Sequence, residues 1–160
     1  MFKQLIVLPL ALTAFTAHAA TGVISETDKP KPPHPRHESA KHFKQVAHAV
    51  SHGRALHVVI DSDKCKSNVQ TSSEMLVSIH PKSTLLVKGK RVAFSNMHFT
   101  THHPRHLGSP VYQFTKYSLN EDDTFTIKTE ALNPTSFETL GEAVELTCKL
   151  NHGVRIYSGK

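Results

Sequence analysis

The chain has 160 residues, with 19 Lys and Arg against 13 Asp and Glu, 13 His, two Cys and no Trp. The net charge of +6 with histidines neutral favours anionic partners. No stripe of interleaved basic and aromatic residues accompanies it, which argues against a specific nucleic-acid reader. A single apolar run, in a chain long enough for one domain, excludes a polytopic membrane protein.

That run comes first. Lys3 supplies a positive start, and residues 5–17 are apolar apart from Thr13 and Thr16. Ala17-His18-Ala19 then places small residues at the two positions a signal peptidase reads. Residues 1–19 therefore read as a secretory signal peptide, too short to serve as a transmembrane segment. The expectation is an exported protein, periplasmic or secreted, whose mature chain begins at Ala20.

Residues 20–37 read as a flexible arm. Pro30, Pro32, Pro33 and Pro35 alternate with Lys, His and Arg and leave little apolar surface to bury. Charge is uneven along the mature chain: residues 20–118 carry 14 basic and 6 acidic side chains, and residues 119–160 carry 4 and 7. A basic front of this kind could face an anionic surface.

Residues 38–160 read as one domain. The first element expected is a helix from Glu38 to His52. Phe43, Val46, Ala47 and Val50 recur at helical spacing, Ser39 is placed to cap the start, and Gly53 to stop the end. His48 and His52 fall on its wet face. Their i, i+4 spacing lacks the Glu that a zinc protease helix carries after its first His.

After Gly53 the period changes to two. Strands are expected at Ala55–Ile60, Met75–Ile79, Thr84–Val87, Arg91–Ser95, Val111–Leu119, Thr124–Leu132, Val144–Leu150 and Val154–Tyr157. Met97–Thr101 continues the fourth past a kink. Lys88-Gly89-Lys90 and residues 120–123 supply tight turns, and Asn151-His152-Gly153 leads into the last strand. The fold class expected is α+β: one N-terminal amphipathic helix followed by an antiparallel β meander, as a single sheet or barrel-like, with one disulfide.

Cys65 and Cys148 are the only cysteines. In an oxidising compartment an even count pairs, and Cys148 sits in the inward phase of its strand. Closing a loop of about 84 residues would add roughly 4 kcal/mol in the chain-entropy model.

The candidate chemical cluster is His98-Phe-Thr-Thr-His102-His103-Pro-Arg-His106. His98 and His102 share a strand face, and His103 and His106 follow in a loop. Three neutral imidazoles from this set could hold Zn or Cu, although no carboxylate or thiolate lies nearby in sequence. Asp61-Ser-Asp63 opens like a calcium loop but lacks its glycine and closing Glu. No nucleophile elbow, phosphate loop or paired-carboxylate motif is present, and no catalytic residue is assigned.

Several runs then resemble, in order, the VirK family of small exported bacterial proteins. They are Leu56-His-Val-Val-Ile-Asp61 followed by Cys65; Val92-Ala-Phe94-Ser-Asn-Met-His98; Pro110-Val-Tyr-Gln-Phe-Thr-Lys-Tyr117; Ala131-Leu-Asn-Pro134-Thr; and Cys148-x-Leu150-x-x-Gly153-Val154. The resemblance covers residues 43–157. It implies export and an association with host contact, and it brings no catalytic residues. The arm and the doubled His102-His103 stand apart from the family pattern.

The reading is an exported, non-enzymatic, virulence-associated binding protein without a cofactor, acting on a host or envelope component. The alternative is a periplasmic metal-binding protein using His98, His102, His103 and His106. Terminal sequencing of the exported protein should begin at Ala20; a retained Met1 would refute the signal peptide.

Overall fold

Alternation of apolar and polar residues writes most of the sheet directly into the chain. The computed structural model describes residues 38–69 and 75–159, which fall within one compact unit. The signal peptide and arm lie outside the described residues. In chain order the elements are β1 (Glu38–Ser39), α1 (Phe43–Ser51), β2 (Leu56–Asp61), β3 (Lys66–Ser67), β4 (Leu76–Ile79), β5 (Leu85–Val87), β6 (Arg91–Thr100), β7 (Val111–Asn120), β8 (Thr124–Leu132), β9 (Val144–Leu150) and β10 (Gly153–Ser158). Leu56, Val58 and Ile60 on β2, Phe125 and Ile127 on β8, and Val154 and Ile156 on β10 are all buried, one residue in two.

The strands form one sheet in the order β4-β2-β10-β9-β8-β7-β6-β5. Helix α1 packs on β5 and β6 and also on β10, which lies four strands further along the sheet. The sheet therefore curls into a half-barrel around the helix. Phe43, Val46 and Ala49 of α1 enter the same buried cluster as Phe94, Tyr117, Leu119 and Phe125.

Two turns follow from backbone chemistry. Lys88 and Gly89 both have positive φ (51° and 68°), the geometry of the tight hairpin turn whose twist matches its flanking strands. Asp123, at φ 63°, ends the β7–β8 turn, and its N–H donates to the Asn120 carbonyl at 3.1 Å.

The sheet is mixed, which corrects the expected antiparallel meander. β10 runs parallel to β9, with Gly153 opposite Lys149 and Val154 opposite Leu150. Asn151-His152-Gly153 does not reverse the chain. Asn151 (φ 65°) and Gly153 (φ 98°) wind it through a tight coil, closed by the Asn151 N–H donating to the Val154 carbonyl at 2.6 Å. The chain leaves in its original direction and moves over to pair with β2, antiparallel, along Val154–Ser158. β1 then pairs with the far end of β10, with Ser39 opposite Tyr157.

The Cys65–Cys148 disulfide closes over this coil, joining residues 83 apart in sequence. Cys65 immediately precedes β3, which pairs with β9 through Lys66 opposite Thr147. A Cβ on Gly153 would lie 3.1 Å from both Cys65 Sγ and the Lys64 carbonyl oxygen. Only glycine meets both the positive φ and this close approach.

The helix also differs from expectation. It starts at Phe43, after a strand, and Ser39 does not cap it because that residue is paired into the sheet. The N-terminal donors are satisfied from a distance. The carboxylate of Asp123, 80 residues away, accepts the Phe43 N–H at 2.6 Å and lies 3.1 Å from His42 Nδ1. Gln45 Oε1 accepts the His42 N–H at 3.3 Å. Thus the β7–β8 turn holds the start of the helix.

Burial would raise the pKa of Asp123, but the Phe43 N–H and His42 outweigh it and hold the carboxyl below its ordinary value. A depressed carboxylate contributes stability above its unfolded pKa and loses it as pH falls through the folded value. Asp123→Gly, which removes the acceptor and tolerates the positive φ, should lower stability by about 1–2 kcal/mol at pH 7, the usual magnitude for a lost cap. It should also flatten the acid limb of the stability curve measured by urea unfolding between pH 6 and 2.

Candidate binding face

Strands β6 and β7 carry apolar residues on both faces. On β6, Val92 and Phe94 point into the core, while Met97 and Phe99, in the opposite phase, are 51% and 55% exposed. The expected kink is absent: β6 runs unbroken from Arg91 to Thr100, in continuous register with β7. The change of phase in the sequence is therefore a change of face in a straight strand. Met97 sits opposite Phe114, and Phe99 opposite Tyr112.

These side chains make an aromatic strip. The Phe99 ring meets Tyr112 edge-on at 5.6 Å between centroids, and Tyr112 stacks on Phe137 at 5.7 Å. The Lys116 ammonium lies 5.1 Å from the centre of the Phe114 ring. Leu107 adds a further exposed apolar residue from the β6–β7 loop.

Phe137 is held there at a cost. Its φ is 58°, in the left-handed region that bulky side chains avoid. The turn that imposes this is built on Asn133. Its side-chain oxygen accepts the N–H groups of Thr135 and Ser136 at 2.8 and 3.1 Å. Its carbonyl accepts the Phe137 N–H at 2.9 Å, and its own N–H donates to the Glu138 carbonyl at 2.9 Å.

The histidine cluster borders this strip. His98 lies on β6 opposite Gln113, in the phase of Phe94 and not of Phe99. His102, His103 and His106 lie in the β6–β7 loop. His103 and His106 are neighbours, with ring centroids 5.1 Å apart. The Arg105 N–H donates to His103 Nδ1 at 3.3 Å, and His102 Nδ1 lies 3.2 Å from Thr101 Oγ1. Burial, then the nearby His106, Arg105 and His98, hold the His103 pKa below its ordinary value. Among the described residues no three His, Cys, Asp or Glu side chains form a group placed to hold a metal ion. The Arg105 guanidinium donates to the Glu142 carbonyl at 3.0 Å and ties this loop to the β8–β9 connection.

Sequence reasoning missed Phe99, Tyr112 and Phe137 as a group. The available signal was the phase change between Phe94 and Met97. It also missed the cross-strand stack of His57 on His80, 4.2 Å between centroids. His48 and His52 do stack, at 4.1 Å. Asp61 is paired to Lys64 at 2.7 Å and belongs to the end of β2.

The fold agrees with the comparisons. A family model described as VirK protein matches residues 39–137. The crystal structure of a VirK family protein from Legionella pneumophila is similar, with a TM-score of 0.69 and 30% identity over 74% of this chain and 97% of that one. A search of the curated proteins finds no match. The chain belongs to the VirK family. Among the described residues, no helix is long and apolar enough to cross a membrane.

Replacing Phe137 by Gly should leave stability within about 1 kcal/mol of the parent. Relief of left-handed strain, about 1–2 kcal/mol, opposes the loss of stacking on Tyr112, about 0.5–1.5 kcal/mol. Urea unfolding of the two proteins measures the difference.

Proposed function

We propose that this virulence-associated family member is an exported, non-enzymatic protein that binds a protein component of the host or the cell envelope through the aromatic strip on β6 and β7. The observation that carries the reading is Phe137, a half-exposed aromatic ring kept in a left-handed backbone by an Asn133-centred turn and stacked on Tyr112. Aromatic side chains beside Arg are the residue types that dominate the energetics of protein interfaces. The signal-like N-terminus and the disulfide support export.

The alternative, Zn or Cu binding at His98, His102, His103 and His106, draws on the His103–His106 neighbourhood, which offers two imidazoles. Calorimetry that finds one submicromolar Zn²⁺ site, lost in the triple change His98→Ala, His102→Ala, His103→Ala, would favour it over the first reading.

The binding reading is tested with Phe99→Ser and Phe137→Ser. Both should still fold cooperatively, with a midpoint lowered by only several degrees through the lost ring contacts, and lose retention on envelope or host-membrane protein fractions by about tenfold, as expected for an interface anchor. Retention equal to that of the parent protein would overturn the assignment.

A further inference from the structure

We infer that the concavity between α1 and the β1–β10 pair is an anion site that takes a phosphate monoester. It encloses about 280 Å³ and is lined by Lys44, His48, Arg54, Gln45 and the serines Ser39 and Ser158, over a floor of Ala40 and Ala49. No acidic side chain is among the described groups that line it.

Separate parts of the fold deliver these groups. Lys44 and His48 stand at i and i+4 on one face of α1. Gly53, at φ 69°, ends the helix, and the Arg54 N–H turns back to the Ala49 carbonyl at 3.0 Å, which brings Arg54 to the same rim. Ser158 arrives on β10, tied to the segment after Arg54 by the Gly159 N–H donating to the Ala55 carbonyl at 3.1 Å. The carbonyls at the C-terminal end of α1 would repel an anion if bare. Those of His48, Ala49 and Val50 are already occupied by the N–H groups of His52, Gly53 and Arg54.

Charge sets this concavity apart from two others on the surface. In one, Lys88, Lys90 and Arg91 share the lining with Glu121 and Asp122. In another, Asp61 is bonded to Lys64 and shares the lining with Arg155. At α1, Lys44 and Arg54 have no ion-pair partner among the described side chains.

The donor set matches a phosphate monoester. Arg54 offers a planar fork for two oxygens, Lys44 a point charge, and the two serines hydroxyl donors. A phosphate monoester carries between one and two negative charges at neutral pH and three accepting oxygens. A carboxylate would leave one cation unmatched. The volume, near the lower end of ligand cavities at roughly 300 Å³, admits the phosphate and a small substituent. The ligand is either a free phosphate ester or the exposed phosphate of a lipid headgroup. The site uses no residue of the aromatic strip, so the two assignments stand or fall separately.

Two probes separate the sources. Glycerol 3-phosphate is titrated into the purified protein by calorimetry at pH 7. Phosphatidylcholine vesicles, with and without phosphatidic acid, are tested by co-sedimentation. Saturable one-to-one binding of glycerol 3-phosphate supports the site with a free ester as its ligand. Sedimentation only with phosphatidic acid vesicles supports it with a lipid as its source. In either arm Lys44→Ala and Arg54→Ala should each weaken binding about tenfold, the effect of one charge-assisted contact. Lys88→Ala, in the compensated concavity, should leave it unchanged. Thermal unfolding of the variants verifies that these exposed substitutions leave the fold intact. Failure of both probes to bind the parent protein, or equal binding by the Lys44→Ala and Arg54→Ala variants, overturns the proposal.

Discussion

A sheet that curls must fill its own concave side, and here one nine-residue helix does so. Phe43, Val46 and Ala49 are the side chains that α1 commits to the core. Such a helix is marginal by itself and depends on its partners. Its start is held by Asp123 on the β7–β8 turn, and its end by Gly53 and the return of Arg54 to Ala49. The core, the position of β1 against β10 and the basic rim around Lys44 all follow from where this helix sits.

The long central strands show what happens as the polar phase takes over. Toward Arg91, β6 and β7 place Val92, Phe94, Tyr117 and Leu119 in the core. Toward Thr100, the same phase carries Asn96 and His98, while Thr115 bonds Thr129 on β8 at 3.1 Å and Tyr117 donates to Asn96 at 3.4 Å. The apolar residues move to the other face as Met97, Phe99, Tyr112 and Phe114. The sheet is thus covered from within by α1, while its outer face carries the aromatic strip, with Phe137 of the β8–β9 connection stacked on Tyr112.

Most strand positions were legible because a half-buried strand leaves a period-two trace, as in Val144–Leu150, where Cys148 is buried. The Phe43 and Val46 positions of the helix were legible for the equivalent reason. What was not legible depended on contacts between distant residues. Nothing local to Ser39 reveals that it pairs with Tyr157, nor does anything local to Asp123 reveal that it caps a helix 80 residues earlier. Asn-His-Gly is a turn signal, but whether the chain reverses or coils onward depends on the partner waiting beyond, which here is β2. The histidine run was conspicuous as composition, yet among the described residues its strand and loop positions bring no three imidazoles into a metal-holding group.

The position of β10 orders events in time. As the chain is made or threaded from its N-terminus, β5 to β9 can zip up as successive hairpins whose partners are adjacent in sequence. β1 and β2 cannot join that sheet until β10 emerges, because β10 lies between β2 and β9. Closing so long a loop is slow and comes late. Cys65 waits in the same way for Cys148. Joining β2 to the hairpin half therefore waits on residues 153–158, the latch between them.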